Sequence, residues 1–170
     1  MPSEGAWSQI VDRMKTISLV LLVGLFTAAA RLNADDADAV RKELAAMQGE
    51  WTMASGVADG YAIPDEMLKE FRRVCKGDEV TVRMGERVYM KSTLKVDPSK
   101  KPKTIDYAVT EGPTAGKTQL GIYELDGDTF KSCFAAPGDE RPTDFTTKAG
   151  DRRTASVWKR AAKAAEPAAK

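Results

Sequence analysis

The chain has 170 residues and not one histidine. That removes Ser-His-Asp triads, imidazole general bases, His-ligated zinc and proximal-His haem together. Proton transfer would then fall to carboxylates. Asp106, Glu111 and Glu124 lie on or beside neighbouring expected strands, and two inward-facing carboxylates can serve as acid and base. Acidic residues on strand surfaces are ordinarily just solvated, however, and no spacing marks these three as a unit. A carboxylate-based enzyme therefore ranks third among the functional readings, and the expectation is a protein that is not an enzyme. Gly112-Pro113-Thr114-Ala115-Gly116-Lys117-Thr118 invites comparison with a phosphate-binding P-loop. It has three residues between its glycines where that motif needs four. Gln119 to Leu125 then reads as a strand, where a P-loop needs a helix N-terminus to hold phosphate. The segment is better read as a hairpin loop bearing a solvated lysine. Two cysteines, Cys75 and Cys133, cannot build a four-cysteine zinc or iron–sulfur site, so no metal and no cofactor are expected.

Charge narrows the partners. Lys+Arg number 26 and Asp+Glu 25, a formal net charge of +1. So even a balance gives no bulk attraction to nucleic acid or to an anionic membrane, and no nucleic-acid partner is expected. A hydrophobic content of 42% with 30% charged residues is that of an ordinary globular domain. The length suits one domain with a core of its own.

Ile17 to Ala30 is an uncharged apolar run, shorter than the roughly 20 residues a spanning helix needs. Lys15 precedes it, and Ala28-Ala29-Ala30 and Leu32-Asn33-Ala34 offer small-residue cleavage patterns. Residues 1–34 are accordingly expected to be a signal peptide, with the alternatives of a buried helix or an uncleaved anchor. Met14-Lys15 would open a more ordinary leader, which makes Met14 the alternative start. The expected destination is the periplasm or the extracellular space, with no stable membrane insertion after cleavage.

The elements that would position any site begin at Asp35. Val40, Leu44 and Met47 fall on one face of a short helix over Asp36–Met47, favoured by acidic residues at its start and ended by Gly49. Beyond Gly49 the period becomes two. The expected strands are Glu50–Ser55, Phe71–Lys76, Glu79–Gly85, Val88–Val96, Lys103–Thr110, Thr118–Leu125, Thr129–Ala135, Thr143–Thr147 and Thr154–Arg160, with a second short helix over Pro64–Phe71. Glycine turns at Gly77, Gly85 and Gly127 separate some of them; Pro98 and Pro113 mark longer loops. Strands this short at this spacing, joined mostly by hairpins, predict a mainly β fold. The simplest architecture is an antiparallel up-and-down barrel of about eight strands over 35–160 with a short N-terminal helix; closure leaves no exposed edge. Residues 161–170 read as a disordered tail.

Within such a barrel the first and last strands pair. Arg160 could then cover the indole face of Trp51, with Trp158 on the same last strand, and seal one end by a cation–π contact; the alternative is a core tryptophan and a surface arginine. Tyr107, Tyr123, Phe130, Phe134 and Phe145 could line a cavity or simply fill the interior. In an oxidising compartment Cys75 and Cys133 leave two readings open, a disulfide or two separate thiols packed on strands.

Four blocks also carry a resemblance: Met47–Trp51, Asp97–Asp106, Gly121–Thr129 and Pro137–Phe145. In this order they resemble the small secreted planctomycete domain of unknown function, over about Leu44 to Arg160. That family is taken as lipocalin-like, and Gly49-x-Trp51 is similar to the G-x-W start of lipocalins. The resemblance brings no catalytic residues. Cys75 departs from it, since the family usually shows an aliphatic residue there, so a Cys75–Cys133 bridge is not a family feature. The leading expectation is an exported lipocalin-like module that binds a small apolar ligand through Tyr107, Tyr123, Phe134 and Arg141, oriented by interior polar groups such as Tyr123 or Arg141. The rival is a structural or interaction protein with a filled barrel, docking another envelope protein through its loops.

Overall fold

The computed structural model describes residues 35–162. The expected signal peptide, both alternative starts and most of the tail lie outside the described residues. The chain divides into two units, one ending at Ala39 and one starting at Val40. Residues 35–39 are helical. The account below concerns the unit from Val40 onward.

In this unit helix α1 (residues 40–47) leads into strand β1 (Gly49–Ala58). A two-residue strand β2 (Tyr61–Ala62) and a short helix α2 (Asp65–Glu70) follow. Then come β3 (Phe71–Lys76), β4 (Glu79–Met84), β5 (Arg87–Asp97), β6 (Lys103–Glu111), β7 (Thr118–Asp126), β8 (Thr129–Phe134) and β9 (Thr154–Arg160). Every pairing is antiparallel, in the order β2-β1-β3-β4-β5-β6-β7-β8-β9, and β1 pairs with β9 to close the wall. The fold is thus mainly β, a closed eight-stranded antiparallel barrel with one extra strand, β2, on β1.

The connectivity follows from the loops. Lys76 pairs with Glu79, Met84 with Arg87 and Asp126 with Thr129, leaving two-residue turns. Each opens with a glycine at positive φ (Gly77, Gly85 and Gly127), a conformation that a tight hairpin requires and a side chain resists. Gly112 and Gly116 sit in the β6–β7 loop, and Thr118 starts a strand. That segment is a hairpin loop and has no helix to cradle phosphate.

One expected strand is absent and one short strand is added. Thr143–Thr147 is a loop and not a strand. Asp144 Oδ1 accepts from the Thr146 backbone N–H at 2.8 Å and from its hydroxyl, and this local ring competes with ladder pairing. The β8–β9 connection instead packs over the outside of the wall, burying Pro142. The pair Tyr61–Ala62, outside every expected strand and helix, forms the extra strand.

Inside, Met47, Trp51, Cys75, Val80, Val96, Ile105, Tyr123 and Phe130 form a tight core, with Val40 and Leu44 of α1 packed on it. The helix therefore plugs one end. The opposite end of the barrel is less completely filled.

Candidate functional site

At the plugged end, the pairing of β1 with β9 sets Trp51 opposite Arg160. The guanidinium carbon of Arg160 lies 4.1 Å from the Trp51 ring centroid. Its Nη1 donates to the Gln48 carbonyl at 2.6 Å, its Nη2 to the Ala46 carbonyl at 2.8 Å, and its Nε to Asp128 Oδ1 at 2.7 Å. The Trp51 indole N–H donates to the Met47 carbonyl at 3.0 Å. One arginine thus satisfies carbonyls at the C-terminal end of α1, where cations are favoured, and covers an aromatic face. Trp158, two residues earlier, is not part of that stack; its indole N–H donates to Ser156 Oγ at 2.9 Å.

Tyr123 also belongs to the plugged end. It is buried, and its hydroxyl donates to Glu43 Oε2 of α1 at 3.0 Å, while Lys103 ion-pairs with the other Glu43 oxygen. Burial, with the Glu43 charge beside it, pushes the Tyr123 phenol well above its ordinary pKa. Its polar tip is taken up by the helix and orients nothing in the open half of the barrel.

The open half holds a cavity of about 140 Å3. Its lining includes Met53, Phe71, Met90, Tyr107, Phe134 and Trp158, with Gln119, Ser132, Ser156 and Arg73 as polar groups. It reaches the exposed rim at Thr154 and at Tyr89, which is 48% exposed and stacks edge-on against Phe71 at 5.7 Å. Tyr107 and Phe134 stack with ring centroids 4.4 Å apart. Gly121 makes that possible: a Cβ there would lie 2.5 Å from Phe134 Cδ1 and 2.9 Å from the Cys133 carbonyl.

Arg73 is the candidate site residue that sequence reasoning missed. It is 1% exposed. Its Nη2 donates to the Tyr107 hydroxyl at 3.3 Å, and its guanidinium carbon sits 4.3 Å from the Phe130 ring centroid. Nε and Nη1 have no hydrogen-bond partner. Burial opposes the charge while the neighbouring Tyr107 and Cys75 act the other way, and the net direction of its pKa is upward. Burial likewise raises the Tyr107 phenol, although Arg73 opposes this. The signal was present: Phe71, Arg73 and Cys75 alternate on β3 with Arg72 and Val74, and all three share the inner face.

The remaining expected site residues lie on the outer wall. Arg141 faces away from the cavity and donates to the Gly121 carbonyl at 2.6 Å and the Ile105 carbonyl at 3.2 Å. Its Nη2 is 2.6 Å from Asp106 Oδ1, an ion pair outside hydrogen-bond geometry. Arg141 fastens the β8–β9 connection to the outer wall and does not orient an interior ligand. The three carboxylates do not converge. Asp106 is held by Arg141, Glu111 pairs with Lys91 and Glu124 with Lys131. Asp106 faces Leu120 on β7, so Glu124 lies four residues further along, about 13 Å away.

The cysteines are free, which corrects the disulfide alternative. Cys75 shares the inward face of β3 with Arg73, whereas Cys133 alternates with the inward Ser132 and Phe134 and points outward. Strands β1 and β9 stand between β3 and β8. Thiols on opposite faces of a wall, with two strands between them, cannot meet the geometry of a disulfide. Among the described residues no group of three or more Cys, Asp or Glu could hold a metal ion, and no helix is long and apolar enough to cross a membrane. No protein-family model, curated protein or solved structure matches the chain.

Proposed function

We propose that the protein is an exported, non-catalytic lipocalin-like carrier that takes a small, largely apolar molecule into the open half of its barrel. The observation that carries this reading is the cavity of about 140 Å3 behind an exposed aromatic rim. A packed protein interior leaves few voids larger than a water, whereas an engineered apolar cavity of about 150 Å3 is enough to admit benzene. Drug-sized pockets start at about 300 Å3. The molecule is therefore a single ring or a short chain, and anything longer projects past Tyr89. Export is supported by the leader-like composition of residues 1–34, and the non-catalytic reading by carboxylates that are each held by a separate cation.

Native mass spectrometry and tryptophan fluorescence with toluene, hexanol and short alkyl amides test the reading. Trp158 lines the cavity, so the expected result is one molecule per chain with a change in emission. The same stoichiometry should vanish in Gln119→Trp, which fills the space. Uniform failure of these probes to bind would overturn it.

A further inference from the structure

Strand β3 delivers one charged side chain to an interior that is otherwise apolar or weakly polar. Arginine is almost never fully buried unless paired, and a buried charge is ordinarily matched by a counter-charge and a full set of hydrogen bonds. Arg73 has neither. Of its five N–H donors, those on Nε and Nη1 are unused and Nη2 makes a single bond to Tyr107 at 3.3 Å. Among the described residues no carboxylate forms an ion pair with it. One face of the guanidinium is covered by Phe130 at 4.3 Å, which leaves its edge to do the binding. Arg73 lines the cavity together with Tyr107, whose hydroxyl accepts from Arg73 and keeps its own proton to donate.

We infer that Arg73 is an anion-binding group and that the molecule taken into the barrel is a small carboxylate, its head on Arg73 and Tyr107 and its apolar body toward Met53, Met90 and Phe134. This rests on the cavity being a ligand site, as proposed above. A planar guanidinium with free donors matches a planar carboxylate. The mainly aromatic and thioether walls match a ring or short chain and disfavour a fully hydrated inorganic anion.

The test is calorimetric titration of the full mature chain with hexanoate and benzoate beside their neutral counterparts hexanamide and benzamide. Inorganic phosphate is run as a competitor. The carboxylates are expected to bind about 10- to 100-fold more tightly than the amides, the range for a charge-assisted pair. Arg73→Met and Arg73→Gln should abolish that preference, so that each variant binds acid and amide alike. Tyr107→Phe should reduce the preference only in part. Equal binding of acid and amide by the wild type, or a preference that survives Arg73→Met, would overturn the inference and leave the apolar-ligand reading standing. Phosphate displacing hexanoate at matched concentration would assign the site to inorganic anions and overturn it too. Failure of acids and amides alike would sink both readings. Each variant is checked by urea unfolding, and Arg73→Gln preserves a polar side chain should methionine disturb the fold.

Discussion

Replacing Arg73 by methionine should make the ligand-free protein more stable. The substitution removes a guanidinium that is 1% exposed and lacks partners at Nε and Nη1. Burying an unpaired cation costs several kcal/mol after relaxation. Against that stand one long hydrogen bond to Tyr107, at 3.3 Å, and one stack on Phe130, at 4.3 Å. They contribute about 1 kcal/mol and about 0.5–2 kcal/mol respectively. Methionine fills much of the same volume with an adaptable apolar chain, but it leaves the Tyr107 hydroxyl unbonded at about 1–3 kcal/mol. The single variant is therefore expected to gain only about 1 kcal/mol, and Arg73→Met with Tyr107→Phe about 2–4 kcal/mol, as when buried ion pairs elsewhere are replaced by apolar groups. Urea unfolding followed by fluorescence reads this directly. At a slope of about 2 kcal/mol per molar urea, the double variant should shift the midpoint upward by about 1–2 M. A double variant with a lower midpoint than wild type would refute the reasoning, because Arg73 would then be serving the fold and not a ligand.

Three further outcomes follow from the same geometry. Arg160→Met strips the Ala46 and Gln48 carbonyls of their donor and uncovers Trp51; with the side chain about one-third exposed, a loss of about 1–3 kcal/mol is expected by urea unfolding. Arg160→Lys should recover less than half, since an ammonium lacks the planar fork, and a change within about 0.5 kcal/mol for methionine would count against the seal. Gly121→Ala forces Phe134 off Tyr107 and should cost about 1–3 kcal/mol, measured the same way, together with uptake of apolar probes. Both thiols should resist a disulfide reagent at pH 8 in the folded protein and react promptly in urea. Burial raises both, Cys133 to about 11, which leaves thiolate scarce. Because the folded chain holds these protons more tightly than the unfolded one, their contribution to stability is full below about pH 9. It declines as the pH climbs toward 11, and a stability profile that rises across that window would contradict the burial.

The sequence exposes the barrel because period-two alternation and glycine turns are local signals. Phe71–Lys76 and Thr154–Arg160 are strands by the same residues that alternate in the sequence. It hides much of the site because inward and outward faces are told apart there by hydrophobicity, and two features break that link. Ile122 and Cys133 face outward but are buried beneath the β8–β9 connection, so β7 and β8 look apolar on both faces. Arg73 faces inward while carrying a charge, which the rule that charges lie outside assigns to solvent. Tyr107 and Phe134 are legible in the sequence as aromatics on expected strands. The role of Tyr123 depends on Glu43, 80 positions away in sequence, and no spacing announces such a pair. Thr143–Thr147 has strand composition, but Asp144 folds it back on itself.

The pairing of β1 with β9 also sets the timetable of folding. Neighbouring hairpins from β3 to β8 can form as soon as each turn is synthesised. The contact that ties Gln48 to Arg160 spans 112 residues and carries the loop-closure cost of the whole domain. Until the final strand leaves the ribosome, β1 and β8 each offer an unsatisfied row of amide and carbonyl groups to any other extended chain. A nascent or truncated product ending before Thr154 is thus the form most exposed to aggregation, and the last seven-residue strand removes that hazard from both margins in one step.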